Sequence, residues 1–408
     1  MTALNRLLRD NLRNYGMFIA LAAVIIFFSI WSKGSFITPY NLTNLINQTG
    51  TVGVMTAGMT MVIIIRHIDL SVGYLCGFMG AVAANLMMRA AVPVPAVLTI
   101  LIVLAFGAAI GLGVGLLIGK VGIPAFVVTL AGMFIFRGLM LLATSASGTI
   151  NITNDFFIAI GNGFVPSLGH IGPFELTTVL IGIAGIVLVI LLQLRARSTQ
   201  RKYRFEVSPM WVFVLKIALM SVLIAFVAYL LALERGISWT LVILGAVIII
   251  FSLVLNRTRF GRHVYGVGGN PEAAELSGVS VVKVTASVFV IMGVLTALAG
   301  VLFASRMQSA SPAAGTGFEL LVIAGAFIGG CSAAGGVGKV TGSLIGALLM
   351  QSLVNGMAMM QVNISYQYVI QGSILLVAVL FDVMGRKARV TKRAIAEINL
   401  EAKVDSQK

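Results

Sequence analysis

The chain has 408 residues, of which 59% are hydrophobic and only 10% charged, with a mean hydropathy of +1.04. Its apolar residues come in runs near the length needed to cross ~30 Å of hydrocarbon, which excludes an ordinary soluble protein and predicts an all-α, polytopic transmembrane helix bundle. The net charge of +15 calls for no nucleic-acid partner, because the basic residues cluster beside apolar runs, as the positive-inside rule places them in cytoplasmic loops.

The first apolar run, 15–31, follows Arg6, Arg9 and Arg13 without a small-residue cleavage site, so residues 1–14 are expected to stay cytoplasmic ahead of a retained anchor. Further spans are predicted at 51–65, 71–88, 95–119, 124–143 and 176–194, then at 211–231, 239–255, 281–304, 318–330, 340–360 and 366–384. Together they make about twelve crossings, with 318–330 short enough to be a broken or tilted helix. Two more basic clusters, Arg195 to Arg204 and Arg386 to Arg393, lie in the middle and near the end. With both termini inside, all of the 28 Lys and Arg except Lys33, Arg89, Arg137, Lys216, Arg235 and Arg306 fall in or beside cytoplasmic segments. Residues 15–384 then form one membrane domain and 385–408 a basic cytoplasmic tail. Segment 144–175, which carries no Lys or Arg, faces outward as a candidate contact for an extracytoplasmic partner.

Asp69, in R-H-I-D-L-S-V-G, sits between two apolar runs with hardly any linker. A carboxylate there needs a partner, from Arg66, His67 or the backbone amides of the next helix, and Asp69 with Ser71 fits a cap opening that helix. The remaining acids avoid span centres, so no coupling carboxylate of a proton-driven carrier stands out. Arg137 is the base placed deepest in a span, where it snorkels, pairs structurally or faces a pathway.

Gly107, Gly111, Gly115 and Gly119 form a small-xxx-small ridge for close helix packing, within a subunit or at a dimer seam, and Gly342 and Gly346 repeat it once. An apolar helix ending in D-L-S-V-G is weakly echoed by one ending in C-S-A-A-G-G. Asn44, Gln48 and Thr51, and Gln351 with Asn355 at i, i+4 spacing, are candidate pathway-lining residues, each equally able to serve as interhelical hydrogen-bond glue.

Several chemistries are unsupported. Cys76 and Cys331 lack a C-x-x-C or histidine neighbour, so neither a metal nor a structural disulfide is expected. His67, His170 and His263 lie far apart, and no catalytic set is assigned. G-G-V-G-K-V-T at 335–341 resembles a phosphate loop but has Ala333 where the motif wants glycine and Val340 where it wants Ser or Thr. ATP is therefore not expected to bind this chain.

The most informative stretch is 260–280, F-G-R-H-V-Y-G-V-G-G-N-P-E-A-A-E-L-S-G-V-S, a polar island with a short helix-forming core inside the cytoplasmic segment 256–280. Such an element suits docking to a soluble motor. Together, D-L-S-V-G at 69–73, G-R-x-x-Y-x-x-G-G-N-x-x-A-A-x-x-S-G at 261–278, A-G-T-G-F-E-L at 314–320 and G-G-C-S-A-A-G-G-V-G at 329–338 resemble permeases of ATP-binding-cassette sugar importers of the ribose, galactose, arabinose and xylose type. Against ribose-type permeases the chain has an added basic loop and helix pair at about 195–239, on a ten-span core, as in the xylose or multiple-sugar subgroup.

The resemblance implies a homodimer in a bacterial inner membrane, a cytosolic ATPase subunit that uses the ATP, and an extracytoplasmic sugar-binding protein. It implies no cofactor, metal or catalysis in this chain, and it assigns Gly261, Arg262, Gly269, Asn270, Glu272, Ala273, Ala274, Glu275, Ser277 and Gly278 to the ATPase-coupling loop, with Gly278 permitting the exit turn. Alternatives are a permease of the same type for a nucleoside, an autoinducer or a branched-chain amino acid, a secondary carrier, or a non-transport scaffold.

Overall fold

The computed structural model describes the backbone of residues 3–145, 148–203, 205, 207 and 209–405, and the side chains of residues 16–384 among them. The helices are α1 (Ala3–Trp31), α2 (Pro39–Ile64), α3 (Val72–Met88), α4 (Ala96–Gly119), α5 (Ala125–Thr144), α6 (Asp155–Asn162), α7 (Leu176–Lys202) and α8 (Met210–Leu233). They continue with α9 (Trp239–Arg257), α10 (Arg259–Gly269), α11 (Pro271–Leu276), α12 (Val281–Met307), α13 (Phe318–Ile328), α14 (Val340–Met359) and α15 (Ile364–Asp405). Eight of them are long and apolar enough to cross a membrane. The twelve predicted spans correspond to α1–α5, α7–α9 and α12–α15. The side chains of the basic clusters at both ends, and Arg204, lie outside the described residues.

Helices of nearly equal hydropathy differ widely in burial. In α7 and α8 only 11% of the apolar window is buried, against 67% in α12. The helix buried along most of its length is α2, whose interior is rich in Gly, Thr and Met. Its threonines bond back into the helix, Thr49 to the Leu45 carbonyl (2.7 Å), Thr56 to Val52 (2.7 Å) and Thr60 to Thr56 (2.8 Å), so a moderately polar helix leaves few hydroxyls unpaired. That composition explains one correction. The predicted span 51–65 begins at Pro39 in the structure, capped by Thr38, because a hydropathy window does not register a helix that never meets lipid.

Two sets of helices repeat each other's packing. α12 packs on α2, α3 and α4 while α5 packs on α3; likewise α2 packs on α12, α13 and α14 while α15 packs on α13. Thus α2–α5 correspond to α12–α15, and α2 and α12 run antiparallel, an inverted repeat. The echo read from the sequence paired α2 with α13; the structure pairs α2 with α12 and α3 with α13. Between the first two elements of each set the chain is non-helical, at 65–71 and at 308–317. The second break meets the first turn of α3 so closely that a Cβ on Gly73 would lie 2.6 Å from the Gly315 carbonyl oxygen, and one on Gly315 2.0 Å from that of Gly73. α13, with 11 residues, covers only about 16 Å, half the hydrocarbon core.

Glycine seams hold the layers together. A Cβ at Gly107, Gly111 or Gly115 would lie 2.5, 2.2 or 2.7 Å from the backbone of α12, at Gly293, Phe289 and Ala286. The ridge therefore packs within one subunit. Gly342 and Gly346 do the same against Gly329 and Gly325 of α13.

The predicted insertion 195–239 holds the end of α7, a connecting segment and one whole helix, α8. The two helices that pack as a peripheral pair are α7 and α8, with Arg197 stacked 4.5 Å over the Phe213 ring. Of segment 144–175, the described stretch 148–175 is built, not loose. Its strand β1 (Ile150–Asn151) pairs with β4 (Ser309–Ala310), β2 (His170–Ile171) pairs with β3 (Phe174–Glu175), and α6 is fastened to α12 by the Ser305 hydroxyl, which accepts from the Gly161 N–H (2.7 Å).

At the end of this segment Glu175 caps α7, accepting from the N–H groups of Thr177 (2.9 Å) and Thr178 (2.6 Å) and from the Thr178 hydroxyl (2.5 Å). Burial alone would raise this carboxyl, but the Thr178 and Thr177 donors outweigh it and hold it down to about 2, below its ordinary 4.5. A depressed folded-state value stabilises the fold above about pH 4.5, and that contribution disappears as pH falls through about 2. Glu175→Gln is expected to lower thermal stability at pH 7, with the gap to wild type narrowing as pH falls below about 4.5 and closing near pH 2, as read by unfolding scans in detergent. An equal gap at both pH values would refute this account.

Candidate functional site

The 256–280 segment forms two short helices at a corner. Thr258 caps α10 by accepting from the Gly261 N–H (3.1 Å), and Gly261 lets α10 fold back on α9, since a Cβ there would lie 2.2 Å from the Leu255 carbonyl oxygen. Asn270 then ends α10 and caps α11, accepting from the Ala273 N–H (3.0 Å), with Pro271 in the first turn. Gly278, at φ +82°, closes α11: its N–H bonds the Glu275 carbonyl (2.9 Å) and the Val279 N–H bonds Ala274 (3.0 Å), a left-handed C-terminal stop.

α10 lies flat with Gly261, Val264, Val267 and Gly268 buried and Arg259, Arg262 and His263 outward. α11 turns Ala274 inward and presents Glu272, Ala273, Glu275 and Ser277 to the outside. Leu276 is 91% exposed. The fold itself gives this leucine no packing role, and the sequence reading passed over it. The available signal was spacing, because Leu276 is two positions from the inward Ala274 on a one-and-a-half-turn helix.

The corner is pinned to the end of α2. Arg66, at φ +67°, donates its Nε to the Gly268 carbonyl (2.7 Å) and its Nη2 to that of Gly269. The Gly336 N–H bonds the Ile64 carbonyl (2.8 Å), and the Tyr265 hydroxyl donates to the Gly338 carbonyl (2.7 Å). A Cβ on Gly268 would sit 1.8 Å from the Ile64 oxygen, whereas Gly269 has open space. The 332–338 turn, which overlaps the phosphate-loop look-alike at 335–341, thereby becomes the joint between α10, α2 and α14, and it is tied to α15 through Asp382, which accepts from the Ser332 hydroxyl (3.0 Å) and the Ala333 N–H (3.2 Å).

Asp69 is 4% exposed and accepts from the N–H (2.9 Å) and hydroxyl (2.6 Å) of Ser71, closing the turn into α3. Arg66, one suggested partner, is engaged with α10 instead. Arg137 points outward with its guanidinium 5.7 Å from the Tyr74 ring.

The candidate pathway residues divide into two sets. Gln351 donates to Gln48 (2.8 Å) and Asn41, which the sequence reading left out, donates to Asn355 (3.0 Å), so these four tie α2 to α14. Asn44 and Thr51 lie next to these on α2, turned by about 60–80° around the helix from Asn41. The Thr51 hydroxyl is buried without a hydrogen-bond partner, while Asn44 lines a cavity at the end of the bundle opposite α10 and α11.

The family whose printed description is "Branched-chain amino acid transport system / permease component" matches residues 41–379. The chain belongs to this permease family. The match starts at the first turn of α2 and ends in α15, so it takes in both halves of the inverted repeat and the α10–α11 corner. Among curated relatives, the xylose transport system permease protein XylH of Haemophilus influenzae is 40% identical over 377 residues, covering 92% of this chain and 98% of that protein. Its Escherichia coli K12 counterpart is 36% identical, covering 91% and 92%. The ribose import permease protein RbsC of E. coli K12 is 33% identical, covering 89% and 92%. No solved structure matches.

Proposed function

We propose that this permease forms the transmembrane pathway of an ATP-driven importer for a monosaccharide, xylose or a related sugar, in a bacterial inner membrane. It works as a homodimer with both termini cytoplasmic, a cytosolic ATPase subunit seated on α10 and α11, and an extracytoplasmic sugar-binding protein at the other end. The chain itself binds no ATP and catalyses nothing.

The observation that carries this reading is the α11 knob. Leu276 stands exposed beside Glu272 and Glu275 on α11, which follows directly on α10, and α10 is hydrogen-bonded to Arg66 at the end of α2 and to Gly338 of the 332–338 turn. Force applied to such an element reaches both halves of the repeat through fixed polar contacts. The similarity to xylose and ribose permeases supports a sugar as the cargo.

Reconstitution in liposomes with the neighbouring ATPase and binding protein tests it. Sugar-stimulated ATP hydrolysis and uptake are expected in the wild type. Leu276→Asp, and separately Glu272→Lys with Glu275→Lys, are expected to reduce both by at least about tenfold, since a central apolar anchor typically carries 2 kcal/mol or more of an interface. Hydrolysis independent of sugar and untouched by these changes would reject the docking site. The family's printed description favours a second reading, a permease of the same type for a branched-chain amino acid, and stimulation by L-leucine in place of D-xylose would establish it.

A further inference from the structure

The end of the bundle opposite α10 and α11 holds a cavity of about 330 Å³. It lies where the first turns of α2, the link after α6, the α8–α9 connection and the end of α12 converge. Its volume is at the small end of ligand sites, which run from about 300 to 1,000 Å³. The lining is polar with two aromatic faces: Tyr40 and Phe164 beside Asn44, Glu234, Arg235 and Gln308.

Among the groups that line this cavity Asn47, Asn162 and the stacked Arg235 and Phe164, with the guanidinium 5.9 Å from the ring, are engaged within the protein, while three polar side chains are not. Asn47, also in the lining, is held by the Ser238 hydroxyl (2.6 Å), and Asn162 by the Arg306 carbonyl (2.9 Å). By contrast the side chains of Asn44, Glu234 and Gln308 make no hydrogen bond to any described protein group. Donors and acceptors are both present, and the Glu234 and Arg235 charges cancel, so the wall favours neither an anion nor a cation. A ring of hydroxyls, each able to donate and accept, with C–H faces that lie on Tyr40 and Phe164, meets all of these conditions together. Below the cavity, the face of α2 that carries Tyr40 and Asn44 continues to the buried, unpaired Thr51 hydroxyl. Beside it the Gln48–Gln351 bond closes the α2–α14 seam.

We infer that this cavity is a receiving site for a neutral polyhydroxylated ligand, a pentose or hexose, which it holds weakly before passage along α2. The inference rests on the importer reading and names the first contact of the cargo with this chain.

The test uses the full-length permease in lipid nanodiscs without its partners, observed by saturation-transfer NMR with D-xylose, D-ribose and L-leucine as probes. Saturation of xylose or ribose is expected in the wild type, weakened about fivefold or more by Asn44→Leu and by Phe164→Ala, the loss expected when a hydrogen bond or a stacking face is removed. Thermal unfolding of each variant confirms that it is folded. In the complete transporter the same variants are expected to raise the sugar concentration needed for half-maximal uptake while ATP hydrolysis stimulated by the binding protein persists. Wild-type saturation in both variants, saturation of leucine alone, or loss of binding-protein stimulation with sugar contact intact would each overturn the inference. The last of these would make the cavity a docking face for the binding protein. A wild-type complex that moves no sugar, although the permease alone saturates it, would instead overturn the importer reading and leave the site standing.

Discussion

Gly111→Leu is expected to leave little folded permease, whereas Gly113→Leu, two residues along the same helix, is expected to fold like the wild type. At Gly111 a Cβ would lie 2.2 Å from the Phe289 carbonyl oxygen and 2.9 Å from the Val290 Cα, both backbone atoms of α12. At Gly113 nothing lies within 4 Å and the position is exposed. Backbone cannot change rotamer to make room, so α4 and α12 must separate along a seam that also includes Gly107 against Gly293 and Gly115 against Ala286. Overpacking a core side chain costs about 1–3 kcal/mol where neighbours can shift. Here the cost is expected to exceed about 3 kcal/mol, because the contacts of the whole seam are lost together. Yield after size-exclusion chromatography and protease resistance in detergent read this directly. Equal behaviour of the two leucine variants would mean that the seam does not hold the bundle together.

The second large effect separates folding from work. Gly268→Val is expected to insert and fold, because α10 lies at the edge of the bundle, yet to lose at least about tenfold of sugar-stimulated ATP hydrolysis. The new side chain would collide with the Ile64 carbonyl and lie 2.8 Å from the Gly336 N–H, two groups that are bonded to each other. To relieve this, α10 must lift and Arg66 must release the Gly268 and Gly269 carbonyls. Each such charge-assisted bond is worth about 1.5–3 kcal/mol, enough to uncouple α11 from α2. Gly266→Ala, which meets nothing within 4 Å, is the matched control. Retained coupling in Gly268→Val with unchanged thermal stability would show that force does not pass through this corner.

Much of the membrane architecture was legible before any coordinates. Lipid imposes a local requirement, that each exposed segment be apolar and satisfy its own backbone, so 96–119, 125–144 and 239–257 announce themselves by composition. The glycine ridge on α4 and the short helix around Glu272 and Glu275 were visible for the same reason, since each is encoded within about a dozen neighbouring residues. Segments that avoid both lipid and water were less legible. The first turns of α2 fell outside the predicted span 51–65 because Asn41, Asn44, Asn47 and Gln48 have partners or neighbours only in the folded bundle.

By itself, then, the sequence determined that this is a polytopic helical membrane protein and carried the motifs that resemble sugar-importer permeases. The tertiary structure alone decided that Arg66 serves Gly268, 202 residues away, instead of Asp69, that Leu276 faces out while Ala274 faces in, and that the repeat pairs α2 with α12. Propensity and hydropathy are sums over adjacent residues, and they fix what a segment is. Which groups meet depends on the packing of helices distant in the chain, where single hydrogen bonds and missing Cβ atoms select one arrangement among several of similar hydropathy.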